Sequence, residues 1–207
     1  MEIRISHLSK HYDQKCIFDN FDYTFVSGKM YAIVGESGSG KSTLLNMIGL
    51  LDDPTSGHIY YDNEKMSSHN RQTLNYLRNK ISYLFQNYAL IETETVKNNL
   101  MIALKHVRSS QKDEFIKKAL EKVGLAGYEK EKVYHLSGGE QQRVAMARLY
   151  LKPSQVILAD EPTGNLDEKN KAVILNALKD FAKEGKIVIV VTHDYSIVDQ
   201  CDEVIQL

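Results

Sequence analysis

Nine residues, GESGSGKST at Gly35 to Thr43, constrain this chain more than any other stretch. They follow the apolar run MYAIV and lead into KSTLLNMIG, which reads as a helix. The run fits G-x-x-x-x-G-K-[ST] through Gly35, Gly40, Lys41 and Ser42, and the strand before it and helix after it give the pattern its weight. Glycines let the backbone curl until several N–H groups point inward at a phosphate. The helix N-terminus adds its dipole. Gly35, Glu36, Ser37, Gly38, Ser39, Gly40, Lys41, Ser42 and Thr43 are therefore the candidate nucleotide-binding residues. Lys41 is placed to reach β- and γ-phosphates, and the Ser42 hydroxyl to ligate Mg²⁺, which makes ATP and Mg²⁺ the expected cofactors.

The rest of the chain supplies a frame for that loop. EIRIS and FDYTFV alternate, the latter with Phe21, Tyr23 and Phe25 on one face, and predict an N-terminal antiparallel β region. PTSG is a turn into the strand HIYY, RQTLNYLRNK reads as a helix and ISYLF as a strand. Between about residues 87 and 150 the pattern becomes helical. TVKNNLMIALKHV and KDEFIKKALEKVGL are amphipathic, with Phe115, Ala119, Leu120 and Val123 on one stripe and Gly124 suited to a helix end. A further helix runs from SGGEQQR to Lys152, before Pro153. QVILAD and KIVIVVTH are continuous apolar runs, as central parallel strands covered on both faces require, and a helix from about Asp167 to Lys183 joins them. DEVIQL is a last, outer strand. The expectation is an α/β fold: one domain over 1–207, a doubly wound, mainly parallel sheet with an N-terminal antiparallel β region and a helical subdomain at about 87–150.

Two acids, Asp160 and Glu161, stand at the end of the strand VILAD. Ligands of such sheets lie beyond the carboxyl ends of the strands. Asp160 is then placed to hold Mg²⁺, and Glu161 to polarise an attacking water as general base. His193 ends the next strand, within reach of a γ-phosphate.

A second glycine run, LSGGEQQR, starts at Leu136. Ser137 has the position of a helix N-cap, and Gly138 and Gly139 leave N–H groups open, so this end can bind an anion. Glu140, three residues after Ser137, equally completes a capping box.

Together these runs resemble the ATP-binding cassette (ABC) ATPases. LSGGEQQR resembles their signature, GESGSGKST their Walker A and VILADEP their Walker B; GNLD at Gly164 to Asp167 is similar to their D-loop, His193 to their switch histidine and Gln86 in LFQN to their Q-loop glutamine. The resemblance implies that Glu161, His193 and Gln86 are catalytic, that Ser42, Gln86 and Asp160 hold Mg²⁺, and that Tyr12 stacks on adenine. It also implies a head-to-tail homodimer in which Ser137, Gly138, Gly139 and Glu140 close on the partner's nucleotide. A separate integral membrane permease would dock near Gln86 and the helical segment, with Tyr83, Phe85, Tyr88, Leu90 and Ile91 lining the groove or packing the subdomain. IGLLDDPTSG and LADEPTGNLD resemble the MacB, LolD and FtsE group, and ISYLFQNYALIETETVKNNLMIAL is similar to ATPases of bacteriocin and antimicrobial-peptide export.

Composition removes other classes. Net charge is −1, which gives no electrostatic case for nucleic acid. The N-terminus has no apolar core of a signal peptide, and no apolar run approaches the ~20 residues that cross a bilayer. Cys16 and Cys201 match no metal spacing and suggest reduced thiols. The resemblance therefore implies a cytoplasmic protein, peripheral on the inner membrane face through its permease. An ABC ATPase of iron–sulfur assembly, an FtsE-like mechanical ATPase and a small-molecule kinase are the competing readings.

Overall fold

The computed structural model describes residues 1–164 and 166–207. In chain order the elements are β1 (Glu2–Tyr12), β2 (Lys15–Val26), β3 (Met30–Val34), α1 (Lys41–Ile48), β4 (Ser56–Tyr61), β5 (Glu64–Met66), α2 (Thr73–Asn79) and β6 (Ile81–Leu84). Then follow α3 (Val96–Ala103), α4 (Lys112–Lys122), α5 (Gly138–Tyr150), β7 (Val156–Asp160), α6 (Glu168–Lys183), β8 (Ile187–Val191), α7 (Tyr195–Val198) and β9 (Glu203–Gln206). They form two compact units. One comprises Met1–Tyr83, Ser154–Glu161 and Leu178–Leu207, the other Leu84–Pro153 and Pro162–Ala177.

The first unit holds both sheets. The antiparallel one has the order β2-β1-β4-β5. In β1 the inward-facing alternation changes phase between Ile5 and Leu8. Ile3 and Ile5 are buried, a register shift separates Ile5 from Leu8, and Leu8 and Lys10 then occupy the inward positions. A β-bulge of this kind inserts one residue and reverses which side chains face the core. His7 sits at the shift with φ 50°, and Gly57 of β4 lies against it: a Cβ on Gly57 would meet the His7 carbonyl oxygen at 2.2 Å. The expected aromatic face exists: Phe25 is buried against Tyr31 with centroids 4.9 Å apart, and Phe21 and Tyr23 pack beside it.

The second sheet has the order β6-β7-β8-β3-β9, with β7–β8, β8–β3 and β3–β9 paired parallel. All five residues of β8, and the first four of β3 and β7, are buried. Such uninterrupted apolar strands need cover on both faces. Leu44, Leu45, Met47 and Ile48 of α1 belong to the same core as Ile33, Leu158 and Ile189. The outer position of β9 matches the expectation from DEVIQL.

The second unit contains α3, α4, α5 and the start of α6. Thr95 caps α3 by accepting from the Asn98 N–H. The buried face of α4 is formed by Ile116, Ala119 and Leu120. Phe115, expected on that stripe, is only half-buried and lines a groove instead, because the burial arc is centred one residue later. Gly124 follows the α4 cap with φ 70°, the left-handed conformation glycine adopts without strain. Helix α5 stops at Tyr150 with Leu151 as its cap, slightly short of the expected Lys152. Among the described residues no helix is long and apolar enough to cross a membrane.

Candidate functional site

The glycine loop leaves the C-terminal end of β3 and enters α1 through Gly40, whose φ of 100° is left-handed. Gly40 has no room for a side chain: a Cβ would lie 2.5 Å from Ile17 Cγ2 and 2.9 Å from Phe18 Cζ. Gly35 is equally confined, since a Cβ there would stand 2.6 Å from the Leu207 carbonyl oxygen and 2.8 Å from Ser39 Oγ. Lys41 Nζ donates to the carbonyls of Gly35 (3.0 Å) and Glu36 (2.8 Å), which places the ammonium inside the curl. Ser39 Oγ is buried with no hydrogen-bond partner among the described residues. A buried hydroxyl without a partner is costly, and one within a curled glycine loop fits an incoming oxyanion.

The strand next but one, β7, ends with Asp160, whose Oδ1 accepts from Ser42 Oγ at 3.3 Å. Burial pushes the Asp160 carboxyl up, against the Ser42 hydrogen bond, and the neighbouring Glu161 pushes the same way. Glu161 has φ 46°, a strained conformation for a non-glycine residue. Its N–H still donates to the Val191 carbonyl (2.9 Å), so the turn is locked to β8. The turn ends the strand alternation at this point: Asp160 reaches Ser42, while Glu161 Oε1 lies 2.9 Å from His193 Nδ1. Glu161 is mostly buried and His193 is 80% exposed. With Glu161 ionised, His193 Nδ1 is the donor, and the rest of the ring faces outward. The first unit thus brings together Lys41, Ser42, Asp160, Glu161 and His193. Ser42 and Asp160 form a pair of hard oxygen donors, a set that suits Mg²⁺ held jointly with substrate phosphates.

Tyr12, at the end of β1, is about half exposed. Its hydroxyl donates to Asp52 Oδ2 at 2.8 Å, and that hydrogen bond raises the phenol's pKa. Lys10 Nζ donates to Asp52 Oδ1 (2.8 Å) and the Asp53 carbonyl (2.6 Å), and lies 4.8 Å from the Tyr12 ring centroid. Burial pushes the Asp52 carboxyl up, but the Lys10 and Tyr12 hydrogen bonds outweigh it and hold it below its ordinary value. Sequence reasoning missed Lys10 and Asp52. Nothing local marks a lysine as buried when a bulge a few residues earlier has turned it inward.

The second unit carries Gln86, which is exposed, and the whole of the LSGGEQQR run. Ser137 is the N-cap of α5 in a complete capping box. Its Oγ accepts from Glu140 N (3.3 Å) and donates to Glu140 Oε2 (2.8 Å); its N–H donates to the same oxygen (2.8 Å), and Tyr128 donates to Oε1 (3.0 Å). The Ser137 backbone N–H, then its hydroxyl, hold the Glu140 carboxyl below its ordinary value. Glu140 is therefore engaged in the box, whereas Ser137 and Gly138 are exposed. A Cβ on Gly139 would stand 2.7 Å from Asn170 Nδ2, so this position has to be bare. Asn170 is in turn held by Asp167 and Arg143. Residue 165, inside the run GNLD, lies outside the described residues.

Of the side chains expected near Gln86, Tyr83 belongs to the core of the first unit. Its hydroxyl donates to the Leu45 carbonyl (3.2 Å), and burial pushes its pKa far up. Tyr88 and Ala89 have φ 61° and 48°, and both carbonyls accept from Arg148, at 2.8 and 2.7 Å. Asn99, buried, accepts from Ile91 N and donates to the Ile91 and Thr95 carbonyls. Ile91 itself is 48% exposed. An open groove of about 510 Å³ lies in the same unit between Leu104, Val107, Phe115, Tyr150 and Pro153, edged by Lys118, Lys122 and Lys152. Burial pulls Lys152 down to about 8.

A phosphate-cradling loop after one parallel strand, paired acids after a second and a histidine after a third define a P-loop nucleotide hydrolase. Comparison with known proteins narrows the class. Residues 18–164 match the ABC transporter family. The chain is 39% identical to the uncharacterized ABC transporter ATP-binding protein MJ1508 of Methanocaldococcus jannaschii, over 91% of this chain and 85% of that protein. It is 38% identical to the macrolide export ATP-binding/permease protein MacB of Mannheimia succiniciproducens, over 92% of this chain, and spans 30% of that relative's length. The dimeric post-hydrolysis structure of the ATP-binding cassette MJ0796, bound to ADP and Pi, superposes with a TM-score of 0.89 at 34% identity, covering 99% of this chain and 94% of that one. The chain belongs to the ABC transporter family and is one of its ATPases.

Proposed function

We propose that the chain is the ATP-hydrolysing subunit of an exporter, acting as a head-to-tail pair and driving a separate membrane permease whose cargo is a bacteriocin-type or antimicrobial peptide. The observation that carries the hydrolytic part is the double contact at adjacent strand ends, Ser42 with Asp160 and Glu161 with His193. In this reading the N–H groups from Gly35 to Thr43 hold the phosphates, and Lys41 turns from its two loop carbonyls to the β- and γ-phosphates. Ser42 and Asp160 would hold Mg²⁺, which when bound would neutralise charge at the phosphates. Glu161 accepts a proton from the attacking water, a role that contributes typically about 10²–10⁴-fold. His193 fixes the Glu161 carboxylate through Nδ1 and presents its outer edge to the γ-phosphate. Tyr12 stacks on the adenine. Ser137, Gly138 and Gly139 close on the nucleotide of the partner copy. The dimeric MJ0796 structures support the pairing, and the ATP-binding/permease name of the MacB relatives supports export through a membrane partner. The apolar groove with its lysine edge is a suitable seat for a permease segment.

Glu161→Gln tests the core of the reading. ATP affinity is expected to persist while phosphate release falls at least about a hundredfold, and ATP is expected to trap a dimer visible by size-exclusion chromatography. Turnover at the normal rate would remove Glu161 from its role. Purification from native membranes is expected to recover an integral membrane protein with the chain, and recovery with soluble factors alone would refute the transport reading.

A further inference from the structure

The contact that the hydrolytic reading leaves unused is the one around Asp52. A lysine side chain that is 9% exposed is rare unless its ammonium is paired. Lys10 is satisfied by Asp52 and by the Asp53 carbonyl, at 2.8 and 2.6 Å. The second oxygen of the same carboxylate takes the Tyr12 hydroxyl at 2.8 Å. Asp52 Oδ1 also accepts from the Asp53 N–H (2.8 Å), but the segment has further anchors that do not involve Asp52. Asp53 accepts from the Ser68 N–H (2.7 Å) and hydroxyl, and Thr55 N donates to the Ser9 carbonyl (2.9 Å). Asp52 Oδ2 is thus left for the Tyr12 hydroxyl, its one hydrogen-bond partner among the described residues.

We propose that Asp52 is a positioning residue for the nucleotide base: it ties the Tyr12 hydroxyl and the Lys10 ammonium together, so that the ring is held in one orientation with the cation against it and its exposed area is presented to a purine. This rests on the stacking role of Tyr12 stated above. The geometry has two physical effects. A tethered ring loses less rotational freedom when a base stacks on it, which is preorganisation. A cation attracted to one face of the ring holds that face and leaves the ring's exposed area for a base to stack on.

The test compares Mg²⁺-ATP with inorganic tripolyphosphate, which engages the phosphate loop and carries no base, by isothermal titration calorimetry. Tyr12→Phe keeps the ring and the Lys10–Asp52 pair and deletes only the tether; Asp52→Asn keeps the shape and removes the charge. Each is expected to weaken ATP about three- to tenfold, to leave tripolyphosphate within about twofold, and to raise KM for ATP with kcat little changed. The double variant is expected to be no weaker than the weaker-binding single, since both act through the Tyr12–Asp52 contact. If Tyr12→Ala weakens ATP selectively but Tyr12→Phe and Asp52→Asn bind it normally, stacking stands and the positioning role falls. If Tyr12→Ala changes neither ligand, the stacking reading itself fails. Should Asp52→Asn not fold, Tyr12→Phe alone decides.

Discussion

Gly49 offers a prediction whose sign depends on one neighbour. It follows α1 with φ −80°, a value alanine adopts freely, so the substitution raises no backbone question. Space is the question: a methyl at Gly49 would stand 1.3 Å from the Tyr83 oxygen and 2.1 Å from its Cζ. The ring cannot swing away cheaply, because it is packed against the core and donates to the Leu45 carbonyl. Displacing it costs one hydrogen bond, about 1 kcal/mol, and overpacking of about 1–3 kcal/mol. The reduced entropy of an unfolded chain with alanine in place of glycine offsets about 0.4–1 kcal/mol. Gly49→Ala is therefore expected to destabilise by about 1–3 kcal/mol, a melting-point loss of roughly 3–10 °C for a chain of this length. Tyr83→Ala alone is expected to cost about 3 kcal/mol. In that background the methyl enters the space the ring has left, and the same Gly49→Ala change is expected to stabilise by about 0.5 kcal/mol. Urea unfolding of the four proteins of the cycle measures both signs. A Gly49→Ala penalty that is equal in the two backgrounds would refute the steric argument.

Other perturbations address the second unit. Ser137→Ala removes the N-cap of α5, with an expected cost of about 1 kcal/mol in chemical denaturation, and is expected to abolish ATP-dependent dimerisation. Glu140 gives a pH signature: its folded carboxyl is held below the ordinary 4.5, so its contribution is present above that value and is lost as pH falls through the lower folded one. The stability difference between the native chain and Glu140→Gln is thus expected to be constant near neutrality and to shrink in acid; a difference that widened in acid would contradict the assignment. Arg148→Met removes the donors to the Tyr88 and Ala89 carbonyls, and hydrogen exchange is expected to accelerate over residues 88–91, with the α5 amides little changed.

What could be read from sequence is what depends on neighbours in the chain. The glycine loop, its strand and its helix are contiguous, and Ser137 and Glu140 are one turn apart, so their geometry follows from local rules. The apolar runs of β7 and β8 announce burial on both faces without any knowledge of what covers them. The features that escaped depend on distant segments. Tyr83 reads equally as lining a docking groove or packing the helical subdomain until Gly49, 34 positions earlier, is seen to make room for it. Lys10 looks solvated until the bulge at His7 and the carboxylate of Asp52 are known. Phe115 and Ile116 are adjacent apolar residues, and the choice between them is made by the helices against which α4 packs. Arg148 ends a helix that reads as complete by itself, yet its guanidinium fixes a turn about sixty residues earlier.

The Ser137 hydroxyl has a single proton, and in this structure that proton is already directed at Glu140. In the proposed head-to-tail pair, a phosphate arriving from another copy would have to win it from an anion inside the same helix turn. On that proposal the Ser137 latch would start closed on itself, and a ligand carrying more negative charge than one carboxylate, set in line with the N–H groups of Gly138 and Gly139, would be what opens it.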